Sequence, residues 1–410
     1  MNNLKRAFVF ALTAALSMGM LVGCGGETPK KEGLEWIDDP SSWDEYMNNA
    51  KIKSLTSLGN TYRLKKAIEK ARKGDDVNIV YIGGSITEGD HLDTCYANRS
   101  YNYFKDTFGK GKGENVHYFN SGISGTPSNL GALRFENDVL KNQPDIVFIE
   151  FAVNDGNDED TRAAFESMIR EALEYETKPA VILLFARMRE GWTSQGWKKE
   201  IGANYDLPMI SYADGITYLF DEGAMKWEDF SGDYTHPHAE GNAVVAEFIS
   251  YFYDEADRTE APAEDFLLPE DTMYPTYFYN AHMMQHSDTE AAEIGSWRKT
   301  STGFHYSDGW TKQYSENNEP LVFEFTGKCA YVIYPTMKET GFEKLNAKVY
   351  FNGELVAERE FDEHLDGGWS CPAIGILYRS DEAGDYRVEF SAPEDNSKCD
   401  LQVLAVAYTD

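Results

Sequence analysis

Apolar positions follow two different patterns along the 410 residues of this chain. From about residue 40 to 256, short apolar runs alternate with segments of helical period. Residues 62–73 place Leu64, Ile68 and Ala71 on one face of a helix, and an apolar run at 77–82 follows. Further runs fall at 116–119, 145–151, 180–185 and 208–212, each separated from the next by a helix-length stretch. Short buried runs between helices imply a parallel sheet covered on both faces. Five such strands predict a flavodoxin-like, three-layer α/β/α domain with ligands beyond the carboxyl ends of the strands. Beyond an acidic, proline-bearing stretch the pattern changes. Runs at 321–325, 330–334, 347–351, 374–378, 386–390 and 401–407 read as strands with no long helix between them. Asn352-Gly353 between two of them is a two-residue hairpin signal. This part predicts an all-β sandwich. The expected organisation is an α/β domain at 41–256, a linker at 257–275 and a β-sandwich domain at 276–410.

The N-terminus follows a third pattern. Lys5 and Arg6 precede an apolar run over residues 7–22, which fits an export signal and is short for a membrane anchor. The run ends in Leu21-Val22-Gly23-Cys24, which resembles the lipobox of bacterial lipoproteins. That resemblance implies a signal peptide at 1–23, lipidation of Cys24, a tether at 24–40 and a lipid-anchored place on the bacterial cell surface.

Composition narrows the partners. Hydrophobic residues make up 42% of the chain, enough for genuine cores. The formal charge is −31, from 69 acidic and 38 basic residues, which disfavours nucleic acids and other polyanions. Cys95, Cys329, Cys371 and Cys399 show no metal-type spacing, although a disulfide among the last three stays open.

Candidate chemistry sits at strand ends. The run at 77–82 leads into Gly83-Gly84-Ser85-Ile86-Thr87-Glu88-Gly89, and far downstream lies Asp233-Tyr234-Thr235-His236. A serine hydroxyl is a poor nucleophile at neutral pH unless a base takes its proton and an acid orients that base. Ser85, His236 and Asp233 supply the three groups of a serine esterase. The glycines lack the spacing of a dinucleotide or phosphate loop, and Thr87 stands where the α/β-hydrolase elbow needs glycine. His236-Pro237-His238 with Asp233 could suggest a metal, but no third histidine or cysteine accompanies them. No motif calls for a cofactor. Pro237 and His238 are placed instead at the opening of a closing helix.

Two further stretches complete a pattern: Asn120-Ser121-Gly122-Ile123-Ser124-Gly125-Thr126 and Val153-Asn154-Asp155. Together with the serine and Asp-x-x-His segments they resemble, in order, the four blocks of the SGNH (GDSL-type) hydrolases, over roughly residues 75–256. The resemblance implies Ser85 as nucleophile, His236 as base, Asp233 as its orienting acid, and an oxyanion hole from the Ser85 and Gly125 backbones and the Asn154 amide. It departs from the archetype at Gly84, where Asp is usual, and at Ala152, where Gly is usual. Glycine at the first position is found in carbohydrate-esterase branches. The expected activity is therefore O-deacetylation of polysaccharides such as xylan. Alternatives are an esterase or acetyltransferase of envelope glycans, a lipase or thioesterase, and a non-enzymatic sugar-binding lipoprotein. Arg187, Trp192, Trp197 and Tyr234 are the candidate substrate contacts. Trp297, Trp310 and Trp369 raise a second possibility, glycan binding by the sandwich.

Overall fold

The computed structural model describes residues 40–89, 93–302, 306, 308–338, 344–364, 370–394 and 400–410. The segment expected to be a signal peptide, Cys24, Trp369 and Cys399 lie outside the described residues. The first domain contains helices α1 (Pro40–Ser54), α2 (Tyr62–Lys73), α3 (Ser85–Glu88), α4 (Tyr96–Phe108), α5 (Ser128–Leu133) and α6 (Phe135–Asp138). It continues with α7 (Glu159–Glu174), α8 (Gln195–Asn204), α9 (Tyr212–Asp221), α10 (Trp227–Phe230) and α11 (Ala239–Arg258). Its strands are β1 (Leu55–Ser57), β2 (Val77–Gly83), β3 (Val116–Gly122), β4 (Ile146–Glu150), β5 (Ala180–Phe185) and β6 (Met209–Ser211).

These strands form one sheet in the order β1-β6-β5-β4-β2-β3. Strands β2 to β6 pair in parallel, and β1 adds an antiparallel edge on β6. The sheet therefore has six strands rather than five. β1 spans three residues, too few to display a period. Within the parallel set the first strand, β2, lies between β3 and β4, so the chain leaves it in opposite directions. That is the topological switch point, where strand ends diverge and leave a crevice.

The second domain is all antiparallel. Its strands are β7 (Ala281–Met284), β8 (Trp297–Thr300), β9 (Gly309–Lys312), β10 (Leu321–Thr336), β11 (Lys344–Phe351), β12 (Glu354–Asp362), β13 (Cys371–Ser391), β14 (Leu401–Val403) and β15 (Ala405–Thr409). A six-stranded sheet, β12-β11-β13-β10-β15-β7, packs on a three-stranded one, β14-β9-β8. Trp297 and Trp310 are buried in the core between them, Trp310 edge-on to Phe323 with ring centroids 4.9 Å apart, so neither offers a sugar platform.

The two domains share apolar surface. Along β10, Tyr331 and Ile333 join the core of the first domain, whereas Ala330 and Val332 join that of the sandwich. Ala405 and Ala407 of β15 face one way and Val406 the other. Side chains alternate across a strand, so a strand buried on both faces reads as an unbroken apolar run. The connecting segment is held down as well. Glu166 of α7 accepts the backbone N–H groups of Met273 and Tyr274, each at 2.8 Å, and Glu171 accepts that of Asn280 at 2.9 Å. Arg379 of β13 pairs with Asp160 of α7 at 2.7 Å.

Candidate functional site

Ser85 is the first residue of α3, directly beyond the carboxyl end of β2. Its Oγ lies 2.7 Å from His236 Nε2, and His236 Nδ1 lies 2.7 Å from Asp233 Oδ2. Asp233 Oδ1 accepts the backbone N–H groups of Thr235 and His236, both at 2.7 Å. Burial raises the Asp233 carboxyl, but the hydrogen bonds from the His236 ring and these two N–H groups outweigh it and hold it well below the carboxylate range. An ionised Asp233 can only accept, so Nδ1 carries the ring proton and Nε2 is free to accept from Ser85.

The loop that carries Asp233 and His236 is closed at both ends. Ser231 and Pro237 form a bridge across it, and the Ser231 hydroxyl bonds the His236 carbonyl at 2.7 Å. His238 is the N-cap of α11, its Nδ1 accepting the Gly241 N–H at 3.3 Å. Asn242 then donates to the Pro237 carbonyl at 2.7 Å and accepts the Tyr96 N–H at 2.8 Å. The imidazole therefore sits on a short, tied loop facing the serine.

The other motif residues come from neighbouring strand ends. Asn154 follows β4 in a turn where the Phe151 carbonyl accepts the N–H groups of Asn154 and Asp155, each at 3.2 Å. Its side chain seats directly on Gly84. A Cβ built on Gly84 would lie 2.3 Å from Asn154 Oδ1 and 3.0 Å from Nδ2. Glycine at this departure from the archetype leaves the space the Asn154 amide fills. Asn154 Oδ1 is buried with no hydrogen-bond partner among the described residues. Gly125 follows β3 with φ +73, a left-handed conformation suited to glycine. Its turn is pinned to α3, because Glu88 Oε2 accepts the Ser124 N–H at 2.7 Å and also bonds the Ser124 hydroxyl. Segments carrying Ser85, Gly125 and Asn154 thus meet at the switch point, with the imidazole on one side.

Of the four candidate substrate contacts, Trp192 and Tyr234 are exposed, Arg187 is half-buried and Trp197 is buried. Trp192 and Tyr234 are each 46% exposed. The Arg189 N–H donates to the Tyr234 carbonyl at 2.9 Å, and its guanidinium lies 5.8 Å from the Tyr234 ring centre, held by Glu228. Trp197, by contrast, is buried in α8, edge-on to Phe165 with Lys198 Nζ 3.7 Å above its ring, so it is a core residue. Arg187 braces its own loop. It donates to the carbonyls of Met188 and Arg189, at 3.2 and 3.1 Å, and to Thr217. Tryptophan at helical spacing cannot reveal from sequence which side of the helix it will occupy.

Sequence reasoning missed the polar groups beneath the site. Glu150 ends β4 fully buried, as do Asp155 and Lys198, which pair with each other. Burial drives Asp155 upward and Lys198 downward, to about 8, and each opposes the shift of the other. The second carboxylate of the run at 145–151, Glu150, flanked by Ile149 and Phe151, was the available signal, because buried carboxylates are rare without a task.

The profile of the GDSL-like Lipase/Acylhydrolase family matches residues 81–244, the stretch that contains every group just described. The chain carries a GDSL-like lipase/acylhydrolase domain. It is a carboxylic ester hydrolase. The whole two-domain esterase is similar to a solved two-domain esterase (CEX) active on acetylated mannans, co-crystallised with mannopentaose. The two share 25% identity over 88% of this chain and 98% of that one, with a TM-score of 0.75. Axe2, an acetylxylan esterase from Geobacillus stearothermophilus, shares 17% identity over 47% of this chain and 100% of its own, with a TM-score of 0.33. The acetyl xylan esterase AlAXEase shares 20% over 42% and 97%, with a TM-score of 0.35. No curated protein matches the chain.

Proposed function

We propose that this hydrolase removes O-acetyl groups from polysaccharides, with Ser85 as nucleophile, His236 as general base and Asp233 as its orienting acid. The observation that carries the reading is the pair of 2.7 Å contacts running from Ser85 Oγ through the His236 ring to Asp233. As Ser85 attacks the ester carbonyl, Nε2 takes its proton and later returns it to the sugar hydroxyl that leaves. Water, activated by the same nitrogen, then releases acetate from Ser85. Asp233 fixes the tautomer and offsets the transient imidazolium charge. The backbone N–H groups of Ser85 and Gly125 and the amide of Asn154 would meet the developing oxyanion.

Likeness over both domains to an esterase active on acetylated mannans makes acetylated mannan the first glycan to test, ahead of the xylan expected from sequence. Trp192 and Tyr234 offer exposed ring area for a sugar, and Tyr234 sits on the loop that carries His236. We also propose export and attachment through Cys24, which would place the enzyme on the cell surface beside polymeric substrate. The deciding measurement is acetate release from acetylated mannan, xylan and 4-nitrophenyl acetate by wild type and Ser85→Ala. Release by wild type and none by the variant supports the reading. Equal release by both, or wild-type activity on long-chain esters alone, overturns it.

A further inference from the structure

Glu150 lies under the site without touching the reacting groups. Its two carboxylate oxygens address two different segments. Oε1 accepts the Ala152 N–H at 3.0 Å, and Oε2 accepts the Thr87 hydroxyl at 3.4 Å. Ala152 lies in the turn that delivers Asn154, and Thr87 lies two residues along α3 from Ser85. The same segments are tied again from outside. The Ala152 carbonyl accepts the Ser194 N–H and hydroxyl at 2.8 and 2.9 Å, and the Thr87 hydroxyl also bonds that of Tyr96 at 2.8 Å. Glu150, Thr87, Tyr96 and Ala152 are all fully buried.

Resting on the esterase reading above, we propose that Glu150 is a positioning residue that locks the Asn154 turn to the Ser85 helix, so that nucleophile and oxyanion donor keep their mutual geometry. A carboxylate suits the task because it can accept from both segments at once. The lock does not depend on the charge. A protonated Glu150 would donate to the Thr87 oxygen, whose own proton can turn toward Tyr96, while Oε1 still accepts from Ala152. The groups that act on Glu150 from surrounding elements are Lys198 of α8, Asp155 beyond β4, Tyr96 of α4 and Tyr212 of α9. Lys198 opposes the negative charge and Asp155 reinforces its cost.

The relation between Glu150 and Asn154 is therefore one of distance control. A shift of an oxyanion donor by a fraction of an ångström weakens transition-state binding far more than substrate binding. Losing one oxyanion donor costs about 10²–10³ in rate, and a loosened one should cost toward the lower end.

The test uses the full chain, with 4-nitrophenyl acetate and an acetylated glycan. Glu150→Ala should lower kcat about 100-fold with KM changed less than about threefold. Glu150→Gln should keep most of kcat, since its amide can accept from Ala152 and donate to Thr87. Thr87→Val, nearly isosteric, removes the Glu150 link to α3 together with the Tyr96 contact and should lower kcat about 10-fold. The losses in the Glu150→Ala/Thr87→Val double variant should combine to clearly less than the product of the single losses, because the Glu150–Thr87 link is cut in both and only the Tyr96 contact is lost in addition. Should Glu150→Ala fail to fold, the contrast between Glu150→Gln and Thr87→Val still decides. Wild-type kcat in Thr87→Val, loss in Glu150→Gln as deep as in Glu150→Ala, or fully multiplicative losses in the double variant would each overturn the proposal. Failure of the esterase reading is distinguishable, since it would show as an active Ser85→Ala enzyme.

Discussion

Cys371, the first residue of β13 in the accessory domain, rests against Gly125 in the hydrolase domain. Its Cβ and Sγ stand 3.4 and 3.5 Å from where a Cβ on Gly125 would be. The second domain therefore walls the turn whose N–H is assigned to the oxyanion. Cys371 is a free, partly exposed thiol, whereas Cys95 and Cys329 are buried. Cys371→Ser should stay within about twofold of wild-type kcat, as it removes little volume. Alkylation by a bulky maleimide should inhibit wild type and spare Cys371→Ser. Full activity of the alkylated wild type, with modification confirmed by mass spectrometry, would argue that the wall is too far from the reacting carbonyl to matter.

Ser85, His236 and Asp233 should fail as a unit. Ser85→Ala and His236→Ala are each expected to lower kcat by about 10⁶. Asp233→Asn should cost about 10³–10⁴, because an amide facing Nδ1 can favour the wrong ring tautomer. Single-turnover kinetics and labelling by a fluorophosphonate read both effects. Near-normal labelling of His236→Ala would remove His236 from the base role.

Gly84 offers a test that leaves all three of those side chains in place. In Gly84→Ala the new methyl overlaps Asn154 Oδ1, so the amide must swing out of its seat. The expected loss is about 10²–10³ in kcat, with thermal stability little changed. Wild-type turnover in Gly84→Ala would show that the Asn154 amide is not needed where it sits.

Buried Glu150 also makes stability depend on pH, with a sign that can be derived. Burial raises its carboxyl from an ordinary 4.5 to about 7, against the Ala152 N–H and Lys198, which lower it. Below about pH 4.5 both folded and unfolded chains hold this proton and no penalty arises. Between there and pH 7 the unfolded chain releases the proton first, so stability falls as pH rises. Above 7 the penalty is complete, at most roughly 3 kcal/mol. Glu150→Gln removes the titration while Asp155 and Lys198 remain. Its stability relative to wild type, measured by urea unfolding, should therefore rise from pH 5 to pH 8. An equal difference at both pH values would show that Glu150 ionises in the fold as easily as in the unfolded chain.

Much of the frame was legible in the sequence because parallel strands are buried on both faces. Helix α2 spans the expected residues, and strands β2 to β6 fall on the five apolar runs. The hairpin at Asn352-Gly353 has both residues at positive φ, 51 and 83, with Phe351 opposite Glu354. The accessory domain was less legible. β10 and β13 run unbroken where the sequence suggested two strands each. The polar stretches that suggested breaks lie within the strands, where the register between them shifts near Gly327. At the site, motif spacing pointed to Ser85, Asp233 and His236, yet Glu150 and Glu88 stayed hidden. Their partners, Thr87 and Ser124, lie 63 and 36 residues away along the chain. Only the folded sheet makes those pairs neighbours.

The two-faced strand β10 bears on how such an enzyme can be rebuilt. Tyr331 and Ile333 are fully buried, on the face that completes the core of the hydrolase unit. Cutting the chain after α11 would strip those side chains away and leave an apolar scar on the catalytic half, inviting self-association. Exchange of the accessory domain, in evolution or by design, would have to carry β10 and β15 along with the surface they cover. Heritable variation in what the enzyme accepts is thus channelled into surface loops, rather than into swapping of whole modules.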